Sequence, residues 1–444
     1  MSQSASSGGG TAKVGLATAI AIVVANMIGT GVFGSLGFQV LGIPSGFPIM
    51  VLWLVGGVVS FCGAVCYAEL ASIFPKSGGE YHLLSRAWSP FLGFLAGWLS
   101  VTVGFAAPVA ANAVLLGGYM GSITGVSHLW FGIPVVVLVT LVHLGKLSNI
   151  GIFQSGFTYA KVALILVLGA LAFVVGTAQP VSFLPQKGDG TLIASGSFAI
   201  SLVYVLYAYT GWNAATYMMD EVRRPERTVP VALLFGTAIV TVLYVFINAA
   251  FLHATPIEKM AGQAEVGLIA AEAILGPRGG MVMGILISFG LISTISSMTW
   301  AGPRVTAAIG RDHARFQVLA RVNRNGVPAL AVVAQSLIVI ALVASATFEQ
   351  LINYVQALLT ISSLMVVAGV VALRIRRPEL ARPYRAWGYP LTPLVFGGVS
   401  LYVLWFQIQQ KTVEFLFGLG TLALGIVVYF LFVRGETPPN ELDP

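Results

Sequence analysis

The sequence predicts an all-α polytopic membrane protein with about twelve transmembrane helices. Three observations carry this prediction. Of the 444 residues, 57% are hydrophobic and 9% are charged, whereas soluble domains hold about 45–50% and 25%. Mean hydropathy is +0.90. Apolar stretches of about 20 residues follow one another along the chain, each long enough to cross a bilayer as a helix. A membrane β-barrel would show short segments alternating apolar and polar residues, and the sequence has no such pattern.

In chain order the spans fall at 14–40, 48–74, 90–120, 130–146, 153–177, 196–219, 228–254, 280–303, 328–346, 350–373, 391–410 and 413–433. The apolar segment 263–276 is short and flanked by Glu265 and Pro277, so it reads as an external surface helix. Residues 1–13 are polar and rich in Gly and Ser, a disordered tail rather than a signal peptide. Residues 434–444 form a second tail. Trp53, Trp88, Trp130, Trp387 and Trp405 lie near span ends, where indoles anchor at the interface.

The charges test this parse. With a cytoplasmic N-terminus, eighteen of the 23 Lys and Arg residues fall inside. Four fall outside (Lys187, Lys259, Arg278 and Lys411), and one, Lys161, falls within a span. That bias is the positive-inside rule at work. It places both termini in the cytoplasm and the protein in the plasma (inner) membrane. The net charge of +7 therefore reports insertion topology, not nucleic-acid binding. The arginine-rich run 310–327 follows the same rule, although anionic lipid would also suit it. Cys62 and Cys66 share one face of an apolar helix and read as packing residues. No metal-ligand set surrounds them, and neither metal nor cofactor is expected.

Two spans differ from the rest. Span 1 carries Asn26-Met27-Ile28-Gly29-Thr30-Gly31-Val32-Phe33, and span 6 carries Tyr207-Ala208-Tyr209-Thr210-Gly211-Trp212-Asn213. Glycine costs about 1 kcal/mol relative to alanine inside a helix, so these stretches predict local loss of helix. Unpaired backbone at that depth is tolerated only when buried in protein or facing a cavity. The breaks lie five spans apart, so two half-units would have opposite orientations. Interrupted helices at matching places in inverted halves point to a secondary transporter's binding site. A helix restarting after the first break offers free N–H groups to a carboxylate. Carbonyls freed at the second can receive an ammonium. An α-amino acid carries both groups on one carbon.

Further pieces extend the pattern: Cys66-Tyr67-Ala68-Glu69-Leu70, Pro75-Lys76-Ser77-Gly78-Gly79-Glu80-Tyr81, Phe157-Thr158-Tyr159-Ala160-Lys161-Val162, Asp220-Glu221, Gly310-Arg311-Asp312 and Arg382-Pro383-Tyr384-Arg385. In this order the chain resembles the amino acid–polyamine–organocation transporter superfamily, and within it the L-type amino acid transporters and their prokaryotic homologues. The resemblance implies a five-plus-five inverted repeat, leucine-transporter-like, over 14–177 and 196–373, with two extra helices at 391–433 and alternating access. It implies substrate contacts at Met27, Ile28, Gly29, Thr30 and Gly31 on the carboxylate side. On the amino side it implies Tyr207, Ala208 and Thr210. Trp212 and Asn213 would serve as a gate. The L-type pattern has two glycines before the tryptophan, and here the first is Thr210. A β-branched hydroxyl there narrows the pocket or adds a hydrogen bond, whereas Ala106, Ala107, Ala110 and Ala111 of span 3 leave room.

Lys161 lies about eight residues, or ~12 Å, inside its span, where a cation costs at least ~2.5–3.5 kcal/mol on insertion scales. Snorkelling over that distance is strained. In sodium-coupled members of the fold a sodium ion bridges spans 1 and 8, and the resemblance puts the Lys161 ammonium in its place. Carbonyls near Gly29 and the hydroxyls of Thr294 or Ser297 would hold it, and transport would not need sodium. The protein would then be an exchanger, or a proton symporter if the lysine lost its proton in the cycle.

Glu69, near the cytoplasmic end of span 2, either meets water or pairs with a cytoplasmic arginine, such as Arg304 or Arg311, to lock an inner gate. Asp220 and Glu221 read as a local charge cluster, and His143 and His253 as structural. Tyr354 and Gln356 of span 10 face an unassigned direction. Rival classes fit less well. An amine, polyamine or cationic amino acid transporter of the same fold would favour mid-membrane carboxylates, and none is obvious. The chain has no His-Glu-x-x-His or nucleophile–base set for an embedded enzyme, and no repeated filter for a channel. The loop 121–129 has no cysteine, so no disulfide-linked heavy subunit is expected. That loop and the compact length point to a prokaryotic, stand-alone protein.

Overall fold

A computed structural model of the chain describes residues 14–145 and 150–436. Lys13, Lys146 and most of both tails lie outside the described residues. The first crossing is broken from the start. Helix α1 (Leu16–Met27) stops, α2 (Thr30–Gly34) restarts, and α3 (Leu36–Gly42) completes it. The unbroken α4 (Gly46–Ile73) returns, followed by the short connector α5 (Glu80–Ala87). Helices α6 (Pro90–Leu99) and α7 (Ala106–Thr124) form one crossing through a π-turn at Ser100–Gly104. Next come α8 (Leu129–Leu144), α9 (Ile150–Val174), the short α10 (Asp189–Ile193) and α11 (Gly196–Tyr209). A 3₁₀ stretch, Ala214–Glu221, leads into α12 (Pro225–Ala254), α13 (Ile257–Met260) and the long α14 (Val266–Asp312). After a second 3₁₀ stretch, Ala314–Ala320, come α15 (Ala329–Ser345), α16 (Phe348–Arg376), α17 (Leu391–Gln410) and α18 (Thr412–Val428).

Local chemistry sets several of these starts. Pro90 and Pro225 sit in the first turns of α6 and α12, where a missing N–H costs nothing. Ser89 and Ser195 cap α6 and α11, and Thr347 with Gln350 forms a capping box on α16. Among the described residues, nine helical stretches are long and apolar enough to cross a membrane, and Leu129–Leu144 and Ala329–Ser345 are shorter apolar helices. The protein is a multi-pass, all-helical membrane protein.

The helices pack in two groups. In one, α4 lies against α12 and α11, and α1 lies against α12. In the other, α7 lies against α14, α8 and α15. Helix α9 touches α12, α14 and α1, and so bridges the groups. Small residues permit the close approach. A Cβ at Gly56 would fall 2.3 Å from Val205 of α11, and one at Gly57 would fall 2.4 Å from Thr241 of α12.

One sequence expectation is sharpened here and one changes. Segment 263–276 is a short helix set off from the span that follows, with one face packed and the other exposed. Helix α14 breaks at Gly276 (φ 75°), and the part before it buries Val266, Leu268, Ala270, Ala271 and Ile274. Trp53 is not an interfacial anchor: it is fully buried and donates its indole N–H to Gln39 (3.0 Å). The partly buried Trp88 likewise donates to the Met365 carbonyl (2.9 Å). Trp130, Trp387 and Trp405 are exposed, as anchors are.

Candidate substrate site at two helix breaks

Both expected breaks are present. Ile28 and Gly29 leave the helical region between α1 and α2 (Ile28 ψ 95°, Gly29 φ −144°). After α11, Thr210 is extended (ψ 150°) and Gly211 takes φ +98°. The breaks touch each other, and glycine permits it. A Cβ on Gly31 would fall 2.3 Å from Ala208 Cα, and one on Gly211 would fall 2.8 Å from the Asn26 carbonyl oxygen. The hydroxyls of Thr30 and Tyr207 also meet across the gap (3.2 Å).

The freed carbonyls have partners. Lys161, buried, donates from Nζ to the carbonyls of Ile28 (3.0 Å) and Ala25 (3.3 Å) and to Thr294 Oγ1 (2.8 Å). The ammonium thus joins α1, α9 and α14. Ser297 instead donates to the Ser293 carbonyl (2.9 Å). Tyr244 of α12 places its hydroxyl against Met27 O (2.6 Å) and Ala208 O (3.1 Å), spanning both breaks. The Tyr207 carbonyl accepts from the backbone N–H (2.9 Å) and hydroxyl (2.7 Å) of Thr210. The Thr210 hydroxyl therefore closes its own turn.

A cavity of about 600 Å³ runs from Val14, Glu221 and Arg304 up to Asn26, Thr210 and Gly211. Apolar groups line much of it, among them Ile22, Phe105, Pro108, Met298 and Leu359. Of the residues singled out in the sequence, Thr210, Trp212, Asn213 and Ser297 lie on its wall. Met27, Ile28, Gly29, Thr30, Gly31, Tyr207 and Ala208 are buried behind it, because the Gly31–Ala208 contact closes the space between the breaks. Trp212 packs edge-on against Tyr67 (centroids 4.6 Å) and Phe396 (6.4 Å). The alanines of span 3 are packed away, and Phe105 and Pro108 face the cavity in their place.

Glu69 does pair with arginine, as expected, but with Arg374 and Arg382 instead of Arg304 or Arg311. Its carboxylate, 1% exposed, takes a fork from Arg374 (2.9 and 2.5 Å), lies 3.3 Å from Arg382 Nε and accepts from the Ala386 N–H (2.7 Å). The end of α4 packs under the α16–α17 connection, which brings those arginines in. Arg304 is engaged elsewhere, stacked 3.3 Å over Trp300 and donating to its carbonyl. Tyr354 bonds Thr421 (2.8 Å) and Gln356 bonds Thr360 (3.0 Å), and neither lines this cavity. His143 meets Ser296 (2.9 Å), and His253 stacks on Phe173. Asp220 exchanges hydrogen bonds with Ser77.

Sequence reasoning passed over two residues. Tyr244 is a hydroxyl in mid-span, and a buried Tyr O–H needs a partner. Glu80 was quoted only as part of a motif. It is 2% exposed and lines the cavity. Burial pushes its carboxyl above the usual range.

Comparison with known proteins identifies the family. The chain matches the family model described as amino acid permease over residues 14–432. It is 28% identical to the b(0,+)-type amino acid transporter 1 of Mus musculus, over 95% of this chain and 88% of that one. The same transporter of Rattus norvegicus is 27% identical at the same coverage. The large neutral amino acids transporter small subunit 2 of Homo sapiens is 26% identical over 99% of this chain and 84% of its own. The chain belongs to the amino acid permease family.

Proposed function

We propose that this protein is a secondary transporter of α-amino acids, neutral ones in the first place, that works by alternating access without sodium. The carrying observation is Lys161. Its ammonium bonds two carbonyls beside the first break and a hydroxyl of α14, the set of oxygens that a monovalent cation would take. The substrate carboxylate binds the N–H groups of Gly29, Thr30 and Gly31, and its ammonium binds carbonyls at Tyr207 and Ala208. The Ala208 carbonyl accepts once, from Tyr244, and keeps a second lone pair, whereas the Tyr207 carbonyl, taken twice by Thr210, becomes available when that turn loosens. Separation of Gly31 from Ala208 opens the site. The apolar cavity wall suits an uncharged side chain.

The same reading counts twelve crossings: the nine long stretches, the two shorter helices and the broken α11. It divides them into inverted halves, 14–177 and 196–373, each beginning with a broken helix. It sets the arginine-rich end in the cytoplasm of the plasma membrane. The Glu69 cluster braces the inner side. The name small subunit marks some relatives as parts of an assembly. Here Cys62 and Cys66 are buried in α4, and the protein acts without a disulfide-linked partner.

Purified protein in liposomes tests this. Uptake of labelled amino acids is expected to saturate, to speed up with unlabelled substrate inside, and to ignore a sodium gradient. A strict sodium requirement would overturn the role given to Lys161.

A further inference from the structure

We propose that Glu80 is a proton-binding site of the transport cycle, loaded and unloaded through the cavity that it lines. The inference rests on the reading of this protein as an amino acid transporter. It starts from a contrast between two buried carboxylates. Glu69 is surrounded by two guanidinium groups and a backbone N–H. Those groups only donate. Glu80 has a different shell. Its Oε1 faces Tyr67 OH (2.5 Å), Asn213 Nδ2 (3.3 Å) and Ser363 Oγ (3.4 Å), and its Oε2 faces Ser362 Oγ (2.7 Å). No basic side chain among the described residues pairs with it.

Three of those four partners are hydroxyls, which accept as readily as they donate. An ionised Glu80 receives their protons. A protonated Glu80 forms one O–H bond, and a neighbouring hydroxyl turns from donor to acceptor. The shell therefore satisfies either state, and an uncompensated buried charge is costly enough to favour uptake of a proton. Desolvation acts in the same direction. The proton comes from water in the cavity and returns to water when the site opens.

The partners belong to separate elements: Tyr67 to α4, Asn213 to the second break, and Ser362 and Ser363 to α16. Loading thus changes how strongly those elements are tied together. The other titratable or charged groups nearby are few. Tyr217 packs on Gly79 beside Glu80, Glu221 and Arg304 lie on the same cavity wall, and Tyr81 is bonded to Asp312 (2.6 Å). His82 and Arg86 are on α5 itself.

The test uses full-length protein in liposomes holding a pH-sensitive dye, with a labelled mixture of the proteinogenic amino acids as probe. Wild-type uptake is expected to acidify the lumen. An acidic outside should raise accumulation by up to about tenfold per pH unit, the limit for one proton per substrate. Glu80→Gln should abolish both effects and flatten the pH dependence of the counterflow that remains. Ser362→Ala serves as the second variant. It removes a donor from the ionised form, so the midpoint of the pH profile should move to higher pH. Glu80→Gln that still accumulates substrate under a pH gradient, or Ser362→Ala with an unmoved midpoint, overturns the proposal. Wild-type net uptake without acidification of the lumen, or counterflow with no net uptake under a pH gradient, overturns it alone. No counterflow of any amino acid overturns the transport reading beneath it.

Discussion

The two helix breaks solve one problem in different ways. The first leaves Ile28 and Gly29 outside the helix, and its carbonyls are claimed by side chains from α9, α12 and α14. The second runs through Thr210 and Gly211 and is closed largely by itself, with Thr210 returning two bonds to Tyr207. A break clamped from elsewhere ties several helices together. A break satisfied locally can shift as a unit at little cost to the rest. It is this second break, with Trp212 and Asn213 after it, that faces the cavity.

Four substitutions probe that difference, from the largest expected effect to the smallest. Lys161→Ala removes the remote clamp and leaves the Ile28 carbonyl without its charged donor. Hydrogen bonds to charged groups contribute ~1.5–3 kcal/mol, so uptake in liposomes should fall by about tenfold to a hundredfold. A rate within twofold of wild type would break the comparison. Gly31→Ala drives a methyl into Ala208 Cα and forces the breaks apart. Overpacking of this kind costs about 1–3 kcal/mol, to be read as a lower thermal midpoint in detergent. An unchanged midpoint would mean that the contact is loose.

Tyr244→Phe removes one hydroxyl shared by both breaks, a loss of about 1 kcal/mol. In a double-mutant cycle with Lys161→Ala its effect should be non-additive by at least ~0.5 kcal/mol, because both act on neighbouring carbonyls. Simple additivity would separate the two clamps. Thr210→Val keeps the shape and deletes the hydroxyl's bond to Tyr207, a loss of about 0.5–1.5 kcal/mol in stability and not in transport. Uptake should change less than threefold, and a larger loss would place that hydroxyl on the substrate.

Much of this architecture was legible in the sequence because its causes are local. Apolar runs marked the helices, glycines beside a threonine marked the breaks, and a lone lysine in a span marked a cation that needed oxygens. The family resemblance offers Thr294 or Ser297 as the hydroxyl, and Lys161 meets Thr294. What the sequence concealed depends on which distant surfaces meet. The arginines on Glu69 come from about 300 positions away, and nothing in spacing distinguishes them from Arg304. Trp53 looked like an anchor because its position near a span end is all that a linear pattern records. The enclosure of Met27 to Gly31 was also hidden, since it depends on where the second break lies.

The Lys161 ammonium has one more consequence. A free ion stabilises its site in proportion to the logarithm of its concentration, so its occupancy follows mass action and a gradient of that ion can perform work. A cation on a covalent stem obeys no such law. Its local concentration is fixed by tether geometry and is the same on both faces of the membrane. On the proposed reading, building the charge into α9 gives up the sodium gradient as an energy source, leaves any other coupling to other residues, and gains independence from salinity.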